Sequence, residues 1–324
     1  MNKLIIVMSL LTVLVGCGST TGGGTVPVVE PAPTSHTFED GTTISDEGIV
    51  GNKNKVIQFP SDYKMIDMQG LEQAHIEGWT GAGVKIMIYD SGFYRYNGKL
   101  GHGILTYNIV KDVSPNSSIV AQSILGTSRE FLENFSYNVT THSYMVNRAA
   151  DSLIHFRQVN ADSPNAVHVK AVPNTSIERC GDEGQTITTC APRINAIAQH
   201  AYSEEEGKNT GEWIFAGAYD ANGGYNSAPV GDNLHILIKV KENYLVASGR
   251  VTVGEQTQDG TSFAAPRIAG AAALVISKFG TNAANTKQIL FQTATDLGEA
   301  GVDNVYGNGL LNVGAALSPI GELN

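Results

Sequence analysis

The sequence predicts an α/β domain built in three layers, a mostly parallel sheet with helices on both faces. Three observations carry that expectation. Short β-branched and apolar runs, such as Val84-Lys85-Ile86-Met87-Ile88-Tyr89, alternate with helical stretches and read as strands buried on both sides. The segment Phe263 to Ile276 is almost wholly small or aliphatic, with Arg267 as its one charge, and reads as a helix buried inside the domain. Residues 61–324 have the length that one large α/β domain fills, and they show no internal repeat.

Taken in order, residues 1–17 hold Lys3, an apolar run from Leu4 to Val15, and then Gly16-Cys17. The run is too short to cross a bilayer and reads as an export signal. Leu14-Val15-Gly16-Cys17 resembles a bacterial lipobox. That resemblance implies a signal peptide over 1–16, a lipidated Cys17 as mature N-terminus and, with Gly18 next, the outer membrane of a Gram-negative envelope. Residues 18–36 are mostly Gly, Ser, Thr, Pro and Val with Glu30 as their one acid, too little apolar area to order themselves, so they are expected to be a tether. Residues 37–60 stay polar with scattered Ile, Val and Phe, which makes 17–60 a lipidated tether and polar extension before the domain at 61–324. No stretch upstream of the domain is long enough for a separate pro-domain.

The balance of 31 acidic against 21 basic residues, without a basic run, excludes a nucleic-acid partner. Besides Cys17 the chain has Cys180 and Cys190, in a Gly/Thr-rich stretch. In an exported protein such neighbours are expected to pair, adding roughly 2 to 3 kcal/mol on the chain-entropy model. A metal site is the weaker reading of the two, because no further ligand cluster sits beside them.

Within the domain, Leu71 to Gly78 reads as a short helix, followed by a strand that ends in Asp90-Ser91-Gly92. A buried parallel strand ending in an acid delivers a carboxylate to the sheet edge where open α/β proteins place ligands. Gly101-His102-Gly103 opens an apolar stretch to Val110, and Ser114-Pro115-Asn116-Ser117-Ser118-Ile119-Val120-Ala121 leads into another strand. Further strands are expected at Asn138–Met145, Ala166–Asn174, Trp213–Asp220, Leu234–Val240 and Tyr244–Gly249. After the strand at Asn138–Met145 a helix is expected to Gln158, with Ala149, Ala150, Leu153 and Ile154 inward.

The organising stretch is Asp259-Gly260-Thr261-Ser262-Phe263-Ala264-Ala265-Pro266. Gly260 makes a turn and places the Ser262 hydroxyl at the first helical positions, where unpaired backbone N–H groups and the positive helix end stabilise an oxyanion. Pro266 follows early in the helix, where its missing N–H costs least.

Gly260 to Pro266 strongly resembles the serine motif of the subtilisin-like proteases, with Phe263 at the usual Met and Arg267 at the His after Pro. Residues 71–92 resemble the opening segment of that family, and Gly101-His102-Gly103 with Ser114-Pro115-Asn116 resembles its histidine helix and the turn behind it. Asn138–Met145 resembles the Asn-x-Ser-x-Gly strand along the substrate groove, with Met145 where Gly is usual. Ala166–Asn174 resembles the Ala-Ala-Gly-Asn strand, with Pro173 in place of Gly. The C-terminal run Thr286–Thr293, then Asp296-Leu297-Gly298 and Val305–Val313, resembles subtilases of the autotransporter type, without a membrane barrel expected after it.

The resemblance implies a triad in which Asp90 orients His102, His102 is the base and Ser262 the nucleophile, with Asn174 in the oxyanion hole. It implies substrate contacts at Ser143, Tyr144 and Met145. No cofactor and no metal ligands are expected, and calcium is not readable from the sequence. The expected partners are protein or peptide substrates and, through the lipid, a membrane; a monomer is expected. Two departures stand out: only 12 positions separate Asp90 from His102, and Ile104, Leu105 and Tyr107 replace small residues after the histidine. Twelve extended residues reach roughly 40 Å, so the separation still allows contact. The expected function is a secreted, lipid-anchored serine endopeptidase; the alternative is a weakly active or inactive surface lipoprotein that uses the fold as a binding scaffold. An α/β-hydrolase esterase is set aside because Ala264 stands where the second Gly of a Gly-x-Ser-x-Gly elbow belongs.

Overall fold

In the computed structural model the described residues are 35–37, 43–45, 48–50, 63–64, 68–93, 95–96, 99–123, 136–144, 159–172, 174, 211–219, 241–253 and 256–319. The proposed lipidation site Cys17, both Cys180 and Cys190, Met145, Pro173, the helix to Gln158 and the strand Leu234–Val240 lie outside them.

The centre is a parallel sheet of six strands. With β1 (Ser35–Thr37), β2 (Thr43–Ser45), β3 (Gly48–Val50) and β4 (Tyr63–Lys64) preceding it, its first strand in the chain is β5 (Lys85–Asp90). The two-residue strands β6 (Arg95–Tyr96) and β7 (Lys99–Leu100) form a hairpin. Then come β8 (Ser118–Ser123), β9 (Val139–His142), β10 (Val167–Ala171), β11 (Glu212–Tyr219) and β12 (Tyr244–Ser248). Their order across the sheet is β12-β11-β10-β9-β5-β8. The chain therefore steps from β5 to one side for β8 and returns to the other side for all later strands, which makes β5 the switch point.

The central strands are buried on both sides, as strands of a doubly covered sheet are, although β9 and β10 carry polar residues among the apolar ones. Alternate residues Ile86 and Ile88, Val167 and Val169, and Ile214 and Ala216 enter the main core. Met87 and Tyr89, with Trp213 and Phe215, enter a second core on the opposite face. On the first face pack α1 (Leu71–Ile76), α2 (His102–Val113), α3 (Thr261–Phe279) and α4 (Ala283–Gln292), followed by the short α5 (Val313–Ala316). On the second face a helical turn at 159–162 contributes Val159.

The helix α3 runs under β9 to β12, and nearly every residue from Phe263 to Val275 is buried. Its small face allows a close crossing with α2: a Cβ on Gly270 would stand 2.6 Å from Cβ of Val113. Gly280, at a φ of 64°, ends the helix in the left-handed conformation that glycine adopts at little cost.

The bulky residues after the histidine find separate places. Tyr107 enters the main core, while Leu105 and Ile109 join Phe263 and Val251 in a small cluster. Val251 belongs to β13 (Arg250–Val253), which pairs with β14 (Gln256–Asp259) as an antiparallel hairpin leading directly into α3. The extension expected at 37–60 contains more regular structure than its polarity suggests, since β1 to β3 pair as a three-stranded antiparallel sheet.

Candidate active site

The carboxylate of Asp90 ends the switch strand and is fully buried. A buried charge must be compensated by donors, and Asp90 has three. Its Oδ1 accepts from the Ser91 N–H at 2.6 Å and from His102 Nδ1 at 2.7 Å, while Oδ2 accepts from the Thr106 hydroxyl at 2.7 Å. Thr106 lies one turn after His102 on α2, the spacing that puts two side chains on one helix face. Facing an acceptor-only carboxylate, Nδ1 must carry the proton, so Nε2 of neutral His102 presents its lone pair on the other side. Burial alone would lower the His102 pKa, but the hydrogen bond and the negative charge of Asp90 outweigh it and raise it above the ordinary imidazole value.

A tight turn makes the short connection work. Gly92 adopts a left-handed φ of 72° directly after the acid, and the Ser91 carbonyl accepts from the Gly103 N–H at 2.7 Å. Position 103 has no room for a side chain, because a Cβ there would sit 2.7 Å from the Phe93 ring.

Ser262 is the second residue of α3, after the extended Gly260. Four positions later Pro266 has no N–H to offer the Ser262 carbonyl. The hydroxyl of Ser143, just beyond β9, donates to that carbonyl at 2.8 Å instead. Proline thus frees an acceptor, and a residue 119 positions earlier in the chain fills it. Ser143 therefore both borders the cavity and anchors the nucleophile turn, a role the sequence reading did not assign.

Asn174 follows β10, and its Oδ1 accepts from the Thr261 backbone N–H and hydroxyl, both at 2.9 Å. Because a backbone N–H can only donate, the oxygen end of the amide is the one turned to Thr261, and Nδ2 is the donor end. The single Thr261 hydroxyl proton is shared between Asn174 Oδ1 and the nearer Val172 carbonyl at 2.6 Å, tying the end of β10 to the start of α3.

Arg267 stands where the resemblance expects His, and it is buried. Its guanidinium donates to the carbonyls of Phe263 at 2.6 Å, Arg250 at 2.8 Å and Ser248 at 3.1 Å, clamping the β13 hairpin to the serine helix. Spread over carbonyls in this way, an Arg can be buried.

His102, Ser262, Asn174, Ser143 and Tyr144 line one cavity of about 400 Å³. The His102 ring lies 5.4 Å from the Phe263 ring. Among the described residues no hydrogen bond joins His102 Nε2 to the Ser262 hydroxyl. The arrangement supplies an alcohol, an oriented base, an amide donor and helix-start N–H groups around one space, the set that acyl transfer requires. Among the described residues no group of three or more His, Cys, Asp or Glu side chains could hold a metal ion.

Comparison with known proteins gives one family. The profile described as "Subtilase family" matches residues 116–309, which include Asn174 and Ser262 but begin after Asp90 and His102. Serotype-specific antigen 1 of Mannheimia haemolytica is 41% identical over 87 residues, 26% of this chain and 9% of that protein. Subtilisin DY of Bacillus licheniformis is 49% identical over 59 residues, 18% of this chain and 20% of that protein. The Neisserial autotransporter lipoprotein NalP of Neisseria meningitidis serogroup B is 43% identical over 60 residues, 18% of this chain and 6% of that protein. The chain thus spans a fifth or less of the length of these curated relatives. Among solved structures, MycP1 with the N-terminal propeptide removed superposes with a TM-score of 0.50 at 18% identity, covering 79% of this chain and 98% of that one. That likeness concerns the fold.

Proposed function

The chain belongs to the subtilase family, and from that premise we propose that it is a serine endopeptidase working through Asp90, His102 and Ser262. The observation that carries the reading is the buried Asp90 carboxylate bonded to His102 Nδ1 at 2.7 Å, with the same imidazole facing the cavity that Ser262 lines.

In this mechanism the Ser262 hydroxyl oxygen attacks the peptide carbonyl while His102 Nε2 takes its proton. The carbonyl π electrons move to oxygen, and the Asn174 amide with the N–H groups at the start of α3 stabilise the charge that develops there. His102 then gives its proton to the leaving nitrogen as the C–N bond breaks. Water repeats the sequence on the acyl-enzyme and restores the alcohol. Asp90 holds the tautomer throughout and stabilises the imidazolium.

The finer reading adds export and a lipid on Cys17. It is supported by the lipobox-like Leu14 to Cys17 and by similarity to a relative that is itself called an autotransporter lipoprotein. It places the protein in the cell envelope, acting on protein or peptide substrates.

A second reading, a subtilase-fold binding module with little hydrolysis, is favoured by the missing hydrogen bond between His102 and Ser262. Catalytic hydrogen bonds often tighten only when substrate is bound, which is why the first reading is preferred. The test compares wild type with Ser262→Ala on a denatured general protein substrate, alongside labelling by a fluorophosphonate. Digestion and labelling by wild type only are the expected results. A folded wild type that stays unlabelled and digests no faster than the variant rejects the peptidase reading.

A further inference from the structure

Lys170 lies on β10 with its side chain in the second core and is buried. Burial makes a lysine amine expensive unless its protons find acceptors. Here Nζ donates to the Tyr144 carbonyl and, at 2.9 Å, to the Ala171 carbonyl, with the Tyr144 ring centroid 5.0 Å away. Both carbonyls belong to residues that line the cavity, one beyond β9 and one at the end of β10. The register explains the placement: Lys170 pairs with His142, so the amine reaches the point where the chain leaves β9.

We infer that Lys170 is a positioning residue: from behind the strand ends it holds the Tyr144 carbonyl against β10 and so sets the edge along which a peptide substrate lies. This rests on the peptidase reading of the cavity. Lys170 touches none of the reacting groups, and the Ser262 carbonyl keeps its own bond to the Ser143 hydroxyl, so the loss of Lys170 should act first on substrate binding. The chemistry of the pair fits this division. Asp90, His102 and Thr106 hang from β5 and α2 and Ser262 from α3, whose tie to the β9 end is the Ser143 hydroxyl, whereas the amine bonds to the carbonyls of Tyr144 and Ala171.

The surroundings also make the grip sensitive to charge. Burial draws the Lys170 amine down to about 7, against the pull of the Asp90 carboxylate. Among the described residues the titratable groups of this face include Tyr89 on β5, His142 and Tyr144 from β9, His168 on its own strand, and Tyr137 and Asp162, whose charges act on Tyr89, while its β11 partner Phe215 carries no charge. As the pH rises through that value the ammonium becomes an amine, whose N–H bonds to carbonyls are weaker.

The experiment separates alcohol reactivity from peptide binding. For Lys170→Met, which keeps the length and removes the donors, KM for an extended peptide should rise about tenfold, in line with one lost charge-assisted hydrogen bond. The rate at which a small fluorophosphonate labels the Ser262 hydroxyl should stay within about twofold of wild type, because that probe needs no substrate edge. Lys170→Arg, which keeps donors, should recover part of the loss in KM. Equal falls in labelling and peptide turnover, or an unchanged KM, overturn the inference. If Lys170→Met does not fold, wild type decides: its KM should rise between pH 6 and 9 while labelling stays level above the His102 titration, and a flat KM overturns the inference. Loss of labelling in wild type itself would instead reject the peptidase reading.

Discussion

The two faces of the central sheet are built from the same strands and are chemically unlike. Toward α3 the strands present mostly Val, Ile, Leu and Ala, with Thr141 of β9 among them. Away from it β9 and β10 present Thr140, His142, His168 and Lys170, packed among Tyr89, Tyr144 and Trp213. The Thr140 hydroxyl is 2.8 Å from His142 and 2.7 Å from His168, and the His168 ring stacks on Trp213 at 4.6 Å. The difference teaches where each kind of order comes from. On the first face position is set by close packing of small residues, so errors appear as lost volume or clash. On the second it is set by hydrogen bonds in low dielectric, so errors appear as unpaired polar groups and as pH dependence.

Breaking the first face at the nucleophile should have the largest effect. Ser262→Ala should lower kcat by four orders of magnitude or more, read as initial rates on a peptide substrate with the fold checked by circular dichroism. Asp90→Asn should come next. It removes the charge that raises the His102 pKa, so kcat should fall by about 10⁴ and the acid limb of the rate profile should move to lower pH. In wild type that limb should lie above the ordinary imidazole value, because only neutral His102 can accept the serine proton.

A smaller loss tests the oxyanion side: Asn174→Ala should cost about 10² to 10³ in kcat with KM little changed. The packing contrast is sharpened by Gly270→Val. The added methyls meet Val113 and should destabilise by about 1 to 3 kcal/mol in urea unfolding, with no dependence on pH. The second face should behave in the opposite way. Burial holds His168 neutral, its pKa lowered to about 3. The unfolded state therefore binds the extra proton between about pH 6.5 and 3, and folding stability should fall across that window on acidification. The fall is at most about 1.4 kcal/mol per pH unit for one proton. His168→Asn, which offers Thr140 a polar partner without a titrating ring, should flatten that slope in urea unfolding measured from pH 7 to 4. An equal slope in both would assign the acid sensitivity elsewhere.

How far the sequence is legible follows from the same contrast. The strand at Asp90 and the serine helix can be read because an uninterrupted apolar run has few alternatives once it must be buried. The nearness of Asp90 and His102 can be argued only from chain reach; what closes it is the Gly92 turn with Phe93 packed over Gly103, and side-chain packing leaves no period in a sequence. Thr106 carries a weak signal, four positions after His102 on the same helix face. Lys170 carries none, because a lysine in a strand reads as a solvent-facing residue until the register shows both sides covered. Arg267 is the instructive departure. A change of residue type at one position of a motif is explained only by the three carbonyls of the β13 region and α3 that it gathers.

The missing N–H of Pro266 has a consequence in time. The acceptor it leaves on Ser262 is met by a hydroxyl made 119 residues earlier, so the alcohol is locked in place only when the two distant parts of the chain have found each other. A contact of such separation carries a larger loop-closure cost than a local one. Until α3 packs against the end of β9, the chain holds a paired acid and imidazole without an anchored alcohol, so the three groups come together only in the assembled domain.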